Sequence, residues 1–192
     1  MAMRLTRRRL LRIGGAAAVS AAGGFALPRA ARAQAAPPAA PPAAVKRISL
    51  YNLHTNERLE PEFFRGNDYV PESFAAIELF LRDFRNGEQH AIDPKLMDYL
   101  YDVAAHIGVD PVFSVISGYR SPQTNAQLRE RSSGVARHSL HLEGRAIDVR
   151  LAGVDCAALA GRALDMTRGG VGYYRQSDFV HLDTGAFRTW KG

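Results

Sequence analysis

The 192-residue chain has a single cysteine, so no disulfide can form within it. That suits a protein that folds in a reducing compartment. Cys156 lies in the Ala/Leu-rich segment "DCAALAGRAL", where it reads as a small core residue and not as a reactive thiol. Acids are missing from the start of the chain. None precedes residue 34, whereas Arg4, Arg7, Arg8, Arg9, Arg12, Arg29 and Arg32 all do. The formal charge of +6 therefore belongs to that stretch; without it 18 basic residues face 19 acidic ones, a net charge near −1. Such a balance gives no support to a nucleic-acid partner. Long apolar runs are lacking as well: Ile13 to Leu27 falls short of the roughly 20 residues a membrane span needs.

What the start does contain is a three-part export layout. "TRRRLLR" (Thr6 to Arg12) is a charged block with the adjacent pair Arg7 and Arg8, the apolar Ala/Gly-rich run follows, and Pro28 leads into the small residues "ARAQA". The arginine pair resembles a twin-arginine signal, which carries folded proteins across the bacterial inner membrane into the periplasm. Cleavage is expected after Ala33 or Ala35. We read residues 1–33 as signal and residues 34–45, with "AAPPAAPPAA", as an extended Pro-rich linker. Residues 46–192 are enough for one domain with one core. After cleavage we expect a monomer with no stable membrane span.

"ISLYNLHTNERLEPEFF" alternates and breaks at "HTNE", which predicts a β-hairpin with His54 at its turn. "PESFAAIELFLRDFRNG" predicts a helix from Pro71, with Phe74, Ile77, Leu81 and Phe84 inward and Gly87 as its stop. The next helix has Asp93 as cap, Pro94 at its first position, a stripe of Leu96, Leu100, Val103 and Ile107, and Gly108 at its end. His90 precedes that helix and His106 sits in its last turn, where a histidine suits the negative helix end. "VFSVIS" is a short strand, and Ser121 with Pro122 opens another helix. "RAIDVRL" is a strand, Asp155 caps a helix stopped by Gly169 and Gly170, and "VGYY" and "DFVHLD" are strands joined by "RQS". This order predicts an α+β fold, with a small, mainly antiparallel sheet and helices packed on one side.

The chemistry gathers in "HSLHLEGRAID", residues 138–148. Gly144 lets the chain turn tightly into the strand. There Ala146, Asp148 and Arg150 share one face, and Ile147, Val149 and Leu151 the other. The apolar face goes to the core, leaving Asp148 on an open face below His141. In "DFVHLD", Phe179, His181 and Asp183 share a face opposite Val180 and Leu182. If the two strands are neighbours, His181 and Asp148 meet with Cβ atoms about 5 Å apart. Two imidazoles and a carboxylate with a fourth position free is the donor set of a catalytic zinc, whereas oxygen-preferring metals such as calcium fit poorly. The residues alone leave a second reading open, of solvated histidines that happen to lie near acids.

"SGYRSPQTN", "SLHLEGRAID" and "VGYYRQSDFVHLDTG", in that order, resemble the YcbK-type branch of the LAS zinc peptidases, a superfamily of lysostaphin-like enzymes, D-Ala-D-Ala peptidases and the hedgehog domain. The resemblance runs from about Ile48 to Trp190. It implies one zinc per chain, held by the His and Asp of S-x-H-x-x-G-x-A-x-D (His141 and Asp148, with Ser139, Gly144 and Ala146 in the pattern) and by His181. It implies that the acid of acid-x-x-His, here Asp178, is the general base, and that Arg120 holds a substrate carbonyl or carboxylate. Many relatives carry Glu and Trp in the last motif, where this chain has "DFVH". In a regular strand Asp178 and His181 point to opposite faces, so a base at 178 must sit in the turn. Asp183 is the rival base, or else orients His181 through its other ring nitrogen. His138 is placed near substrate or as a plain loop residue. Ser139 is assigned to orienting the His141 loop, and Glu143 to solvent. Tyr173 and Tyr174 are cleft candidates, one of them for packing. The implied activity is hydrolysis of peptidoglycan stem-peptide cross-links by an exported murein endopeptidase. Its rivals are a catalytically silent zinc-bearing wall-binding module and a D,D-carboxypeptidase.

Overall fold

The computed structural model describes residues 44–192 apart from Ser132 and Ser133. The stretch read as a signal and most of that read as a linker lie outside the described residues. The first strand, β1 (Val45–Arg47), begins at the last position assigned to the linker.

Strand β2 (Ser49–Asn52) and strand β3 (Arg58–Leu59) form the expected hairpin, with Leu50 opposite Leu59. Asn52 Oδ1 shapes its turn by accepting the N–H groups of His54 and Thr55. The chain then leaves that sheet: β4 (Glu62–Arg65) pairs with β1 and with β5 (Asp68–Tyr69) in a separate three-stranded sheet.

Helix α1 (Pro71–Phe80) starts at the expected proline but stops well before Gly87. Two long-range demands end it. The Leu81 carbonyl accepts the N–H of Tyr119 at 2.8 Å, and Asp83, fully buried, accepts the N–H of Ser121 at 3.0 Å. Phe84 therefore leaves the helical stripe and stacks on His54. Helix α2 (Pro94–Ile107) keeps its predicted ends: Asp93 accepts the Lys95 N–H, and Gly108 closes it in the left-handed conformation at φ +87°. Leu96, Leu100 and Val103 are fully buried beneath it.

The large sheet has seven strands. Besides β2 and β3 these are β6 (Val112–Ser117), β7 (Ala146–Leu151), β8 (Gly170–Tyr174), β9 (Phe179–Asp183) and β10 (Arg188–Lys191), in the order β10-β8-β9-β7-β6-β2-β3. Only β10–β8 and β2–β6 are parallel. The fold is α+β with a mainly antiparallel sheet. Helix α3 (Pro122–Arg131) follows β6, with the Ser121 hydroxyl accepting the Thr124 N–H at its start. Helix α4 (Cys156–Asp165), capped by Asp155, packs with α2 against the central strands; Tyr99 of α2 donates to the Ala163 carbonyl of α4. It ends before Gly169 and Gly170, the expected stop. Those glycines serve the sheet: a Cβ on either would overlap Asp183.

Candidate metal centre

The register of the sheet builds the site. Asp148 of β7 lies opposite His181 of β9, His181 opposite Gly172 of β8, and Gly172 opposite Trp190 of β10. Ile147, Val149, Val180 and Leu182 point the other way, into the core under α2 and α4, and are fully buried. The polar face is not open, as the alternation suggested. His141 is 2%, Asp148 6% and His181 7% exposed, because a loop, a helical turn and an indole cover them.

His141 comes from a 3-10 turn, Leu140–Glu143. The Ser139 hydroxyl accepts the His141 backbone N–H at 3.4 Å. Gly144 ends the turn at φ +64°, and a Cβ there would overlap the Ala91 carbonyl, so conformation and space both require glycine. The His141 backbone carbonyl accepts the Arg120 N–H at 3.1 Å, tying this turn to the β6–α3 loop.

Each imidazole has one nitrogen committed. His141 Nδ1–H donates to the Gly118 carbonyl at 2.7 Å, and His181 Nε2–H donates to Asp183 Oδ2 at 3.0 Å. The other nitrogens converge with Asp148: His141 Nε2 to His181 Nδ1 is 3.2 Å, His181 Nδ1 to Asp148 Oδ1 is 2.9 Å, and His141 Nε2 to Asp148 Oδ1 is 3.3 Å. Ligands about 2.0–2.1 Å from a tetrahedral centre stand about 3.3 Å apart, so this triangle has the size of one face of such a centre. Residues His141, Asp148 and His181 thus form a buried group able to hold a metal ion, and its nitrogen-rich donors fit zinc better than calcium.

Electrostatics agree. Burial opposes charge on every member. At Asp148 the two imidazoles prevail and hold the carboxyl well below its usual range. At His181 burial is outweighed by hydrogen bonds to Asp148 and Asp183, which raise the imidazole to about 9. At His141 burial wins and the pKa falls. A proton shared within a triangle of donors is what a cation displaces.

Asp183 is fully buried and has no idle acceptor. Its Oδ1 takes the N–H groups of Gly170 and Gly185 and Arg188 Nη1; its Oδ2 takes His181 Nε2 and Arg188 Nη2. It orients His181. Asp178 does lie in the turn before β9, at φ +51°, but its carboxylate pairs with Arg150 at 3.1 Å. Burial and a hydrogen bond to Asp178 push the Cys156 thiol up to about 11, in keeping with an inert core residue. The structure thus does not bring Asp178 to the cavity, although its neighbours Ser177 and Phe179 line it.

That cavity, of about 370 Å³, opens over the triangle. Arg120 and His138 line it. Arg120 Nη2 lies 3.8 Å from Asp148 Oδ2 and Nη1 3.5 Å from Asn125 Oδ1, while the buried Nε has no hydrogen-bond partner among the described residues. Tyr174 faces the cavity and Tyr173 packs on the core. Glu143 is exposed and pairs with Arg145.

Sequence reasoning missed three contributors. Asp83 accepts both the N–H and the hydroxyl of Ser121, at 3.0 and 2.8 Å, and so anchors the loop that carries Arg120. Trp190 lays its indole 5.1 Å from the His181 ring. Arg188 locks Asp183. The signal for Trp190 was Gly172, a glycine inside a strand, which marks a close approach.

Residues 40–190 match the family model described as peptidoglycan L,D-endopeptidase MepK. The chain is 42% identical over 184 residues to the peptidoglycan L,D-endopeptidase MepK of Escherichia coli (strain K12), with 96% of each chain covered. The protein of that name from Shigella flexneri matches equally. The probable peptidoglycan L,D-endopeptidase MepK of Haemophilus influenzae is 40% identical over 146 residues, 76% of this chain and 78% of that protein. No solved structure gives a significant match.

Proposed function

The chain belongs to the peptidoglycan L,D-endopeptidase MepK family, and from that membership we propose that it is an exported zinc peptidase that hydrolyses L,D cross-links between murein stem peptides. The observation that carries this reading is the buried His141–Asp148–His181 triangle on the floor of a cavity walled by Arg120. His141, Asp148 and His181 would hold the zinc, which would supply Lewis acidity toward the scissile carbonyl and the attacking water. Arg120, at the cavity wall, offers fixed positive charge to a substrate carboxylate or to the oxygen that gains charge in the transition state. Asp183 and Gly118 hold the two imidazoles with one nitrogen each toward the centre.

For the proton acceptor we propose Asp178, swung in from its exposed turn when Arg150 releases it. His138 is the second reading, because it already lines the cavity and an imidazole can accept a proton as a general base. Asp178→Asn separates them. With Asp178 as base the variant keeps zinc and its hydrolysis falls about a hundredfold. An unchanged rate removes Asp178 and passes the role to His138.

The leader, residues 1–33, supports export by the twin-arginine route to the periplasm, where a murein substrate lies. No helix of the described residues is long and apolar enough to cross a membrane. We take the mature protein to be a monomer. The decisive experiment is digestion of purified sacculi by mature protein, with identification of the released muropeptides. Loss of L,D-linked dimers is expected. Release of terminal D-alanine alone would make it a carboxypeptidase, and binding without cleavage would make it a wall-binding module.

A further inference from the structure

Three aromatic side chains stand around the metal centre, and they are assembled with care for one atom. Trp190 lies across β8 toward His181 because its partner in register, Gly172, has no side chain; a Cβ at 172 would come within 2.5 Å of the indole. From there Trp190 Nε1–H donates to the Tyr174 hydroxyl at 3.0 Å. The Tyr174 ring is stacked on Phe179, with centroids 4.4 Å apart and planes 14° off parallel. A Cβ on Gly192 would overlap the same ring, so the chain end closes over it as well. Stacking on Phe179, contact at the chain end and the indole donor all restrain this phenol.

The indole N–H is a donor only, so the Tyr174 oxygen must act as acceptor toward it. The phenolic proton is then free for another partner. No side-chain acceptor takes it among the described residues, and Tyr174 lines the same cavity as Arg120. The donor is therefore preorganised at the wall of the cleft, near the guanidinium and near the ligand triangle. Donors fixed in advance where negative charge develops are what transition states of acyl transfer reward.

We propose that Tyr174 is a catalytic residue whose hydroxyl donates a hydrogen bond to the scissile carbonyl oxygen as it gains charge, with Trp190 as its positioning residue. The proposal rests on the peptidase reading above. No proton is transferred; the phenol stays neutral throughout.

The test uses mature zinc-loaded enzyme and a soluble cross-linked stem-peptide dimer. Tyr174→Phe keeps the stacked ring and removes only the donor. Its zinc content, melting temperature and KM should match wild type, while kcat falls about a hundredfold. Trp190→Phe keeps an aromatic ring but frees the phenol, and kcat should fall less, by about tenfold. Binding of a phosphinate analogue of the tetrahedral state, followed by calorimetry, should weaken in Tyr174→Phe in step with kcat. A wild-type kcat in Tyr174→Phe overturns the proposal. So does a change confined to KM, or a loss of zinc or of melting temperature that accounts for the lost rate. Should the wild type itself leave the dimer intact, the peptidase reading falls and this inference falls with it; a wild type that cleaves beside an equally active Tyr174→Phe sinks the inference alone.

Discussion

Val180 and Leu182 face the helices from β9, and His181 and Asp183 face the cavity from the same five residues. All four are buried. On the helix side burial is the stabilising term itself: each apolar side chain removed from water contributes about 1.5–3 kcal/mol, with little regard to direction. On the cavity side burial is a cost, offset only because the polar atoms meet partners at set distances. His181 spends one nitrogen on Asp183 and turns the other to the centre, and Asp183 spends both oxygens. Arg120 Nε is the exception: it is buried and has no hydrogen-bond partner among the described residues. Equal burial thus marks two kinds of residue, and partner saturation tells them apart.

The largest effect should come from breaking the cavity side. His181→Ala is expected to empty the metal site and to cut hydrolysis by about a thousandfold or more, with the fold retained; metal analysis beside circular dichroism checks it. Its neighbour on the helix side should do the reverse. Leu182→Ala leaves a cavity and is expected to cost about 3 kcal/mol of stability, with zinc still at about one per chain. Denaturant unfolding that shows no loss for Leu182→Ala would erase the contrast. A smaller change sharpens it. Asp183→Asn keeps shape but removes the charged acceptor of His181, so zinc affinity should drop by about ten- to a hundredfold with little change in unfolding, measurable by chelator competition.

The smallest expected effect concerns Asp83, the buried carboxylate that anchors the loop carrying Arg120. Burial pushes its pKa up, but hydrogen bonds from Thr124, Ser121 and Arg85 prevail and hold it below its ordinary value. A carboxyl depressed in the folded state stabilises the protein above its unfolded pKa, and that stabilisation is lost as pH falls through the folded one. The melting temperature of wild type should therefore drop more steeply below about pH 4 than that of Asp83→Asn. Parallel curves would show that Asp83 contributes no such term.

Much of this was legible in the chain. The helix ends at Asp93, Pro94, Gly108, Ser121 and Asp155 follow from local capping chemistry, which needs only neighbours within a few residues. The split of β7 and β9 into two faces follows from the two-residue period, and it put Asp148 and His181 on one side before any pairing was known. Helix α1 is shorter than its spacing predicts, because the bonds that end it come from Tyr119 and Ser121, nearly forty residues on. The family resemblance makes Asp178 the base, which requires its carboxylate to reach the cavity. Spacing carries no information about Arg150, which the fold sets beside that turn and which holds its carboxylate.

Periodicity, caps and glycines act through near neighbours, so the sequence by itself determined where helices α2, α3 and α4 begin, which faces of β7 and β9 are apolar, and which side chains have the chemistry of metal ligands. Which strands become neighbours, and in what register, depends on packing the whole core at once. That alone decided that β7, β9, β8 and β10 lie side by side with Asp148, His181, Gly172 and Trp190 in one row. Burial of His181, the locking of Asp183 by Arg188 and the indole donor on Tyr174 all follow from that row, because contacts between distant residues exist only once the chain has closed.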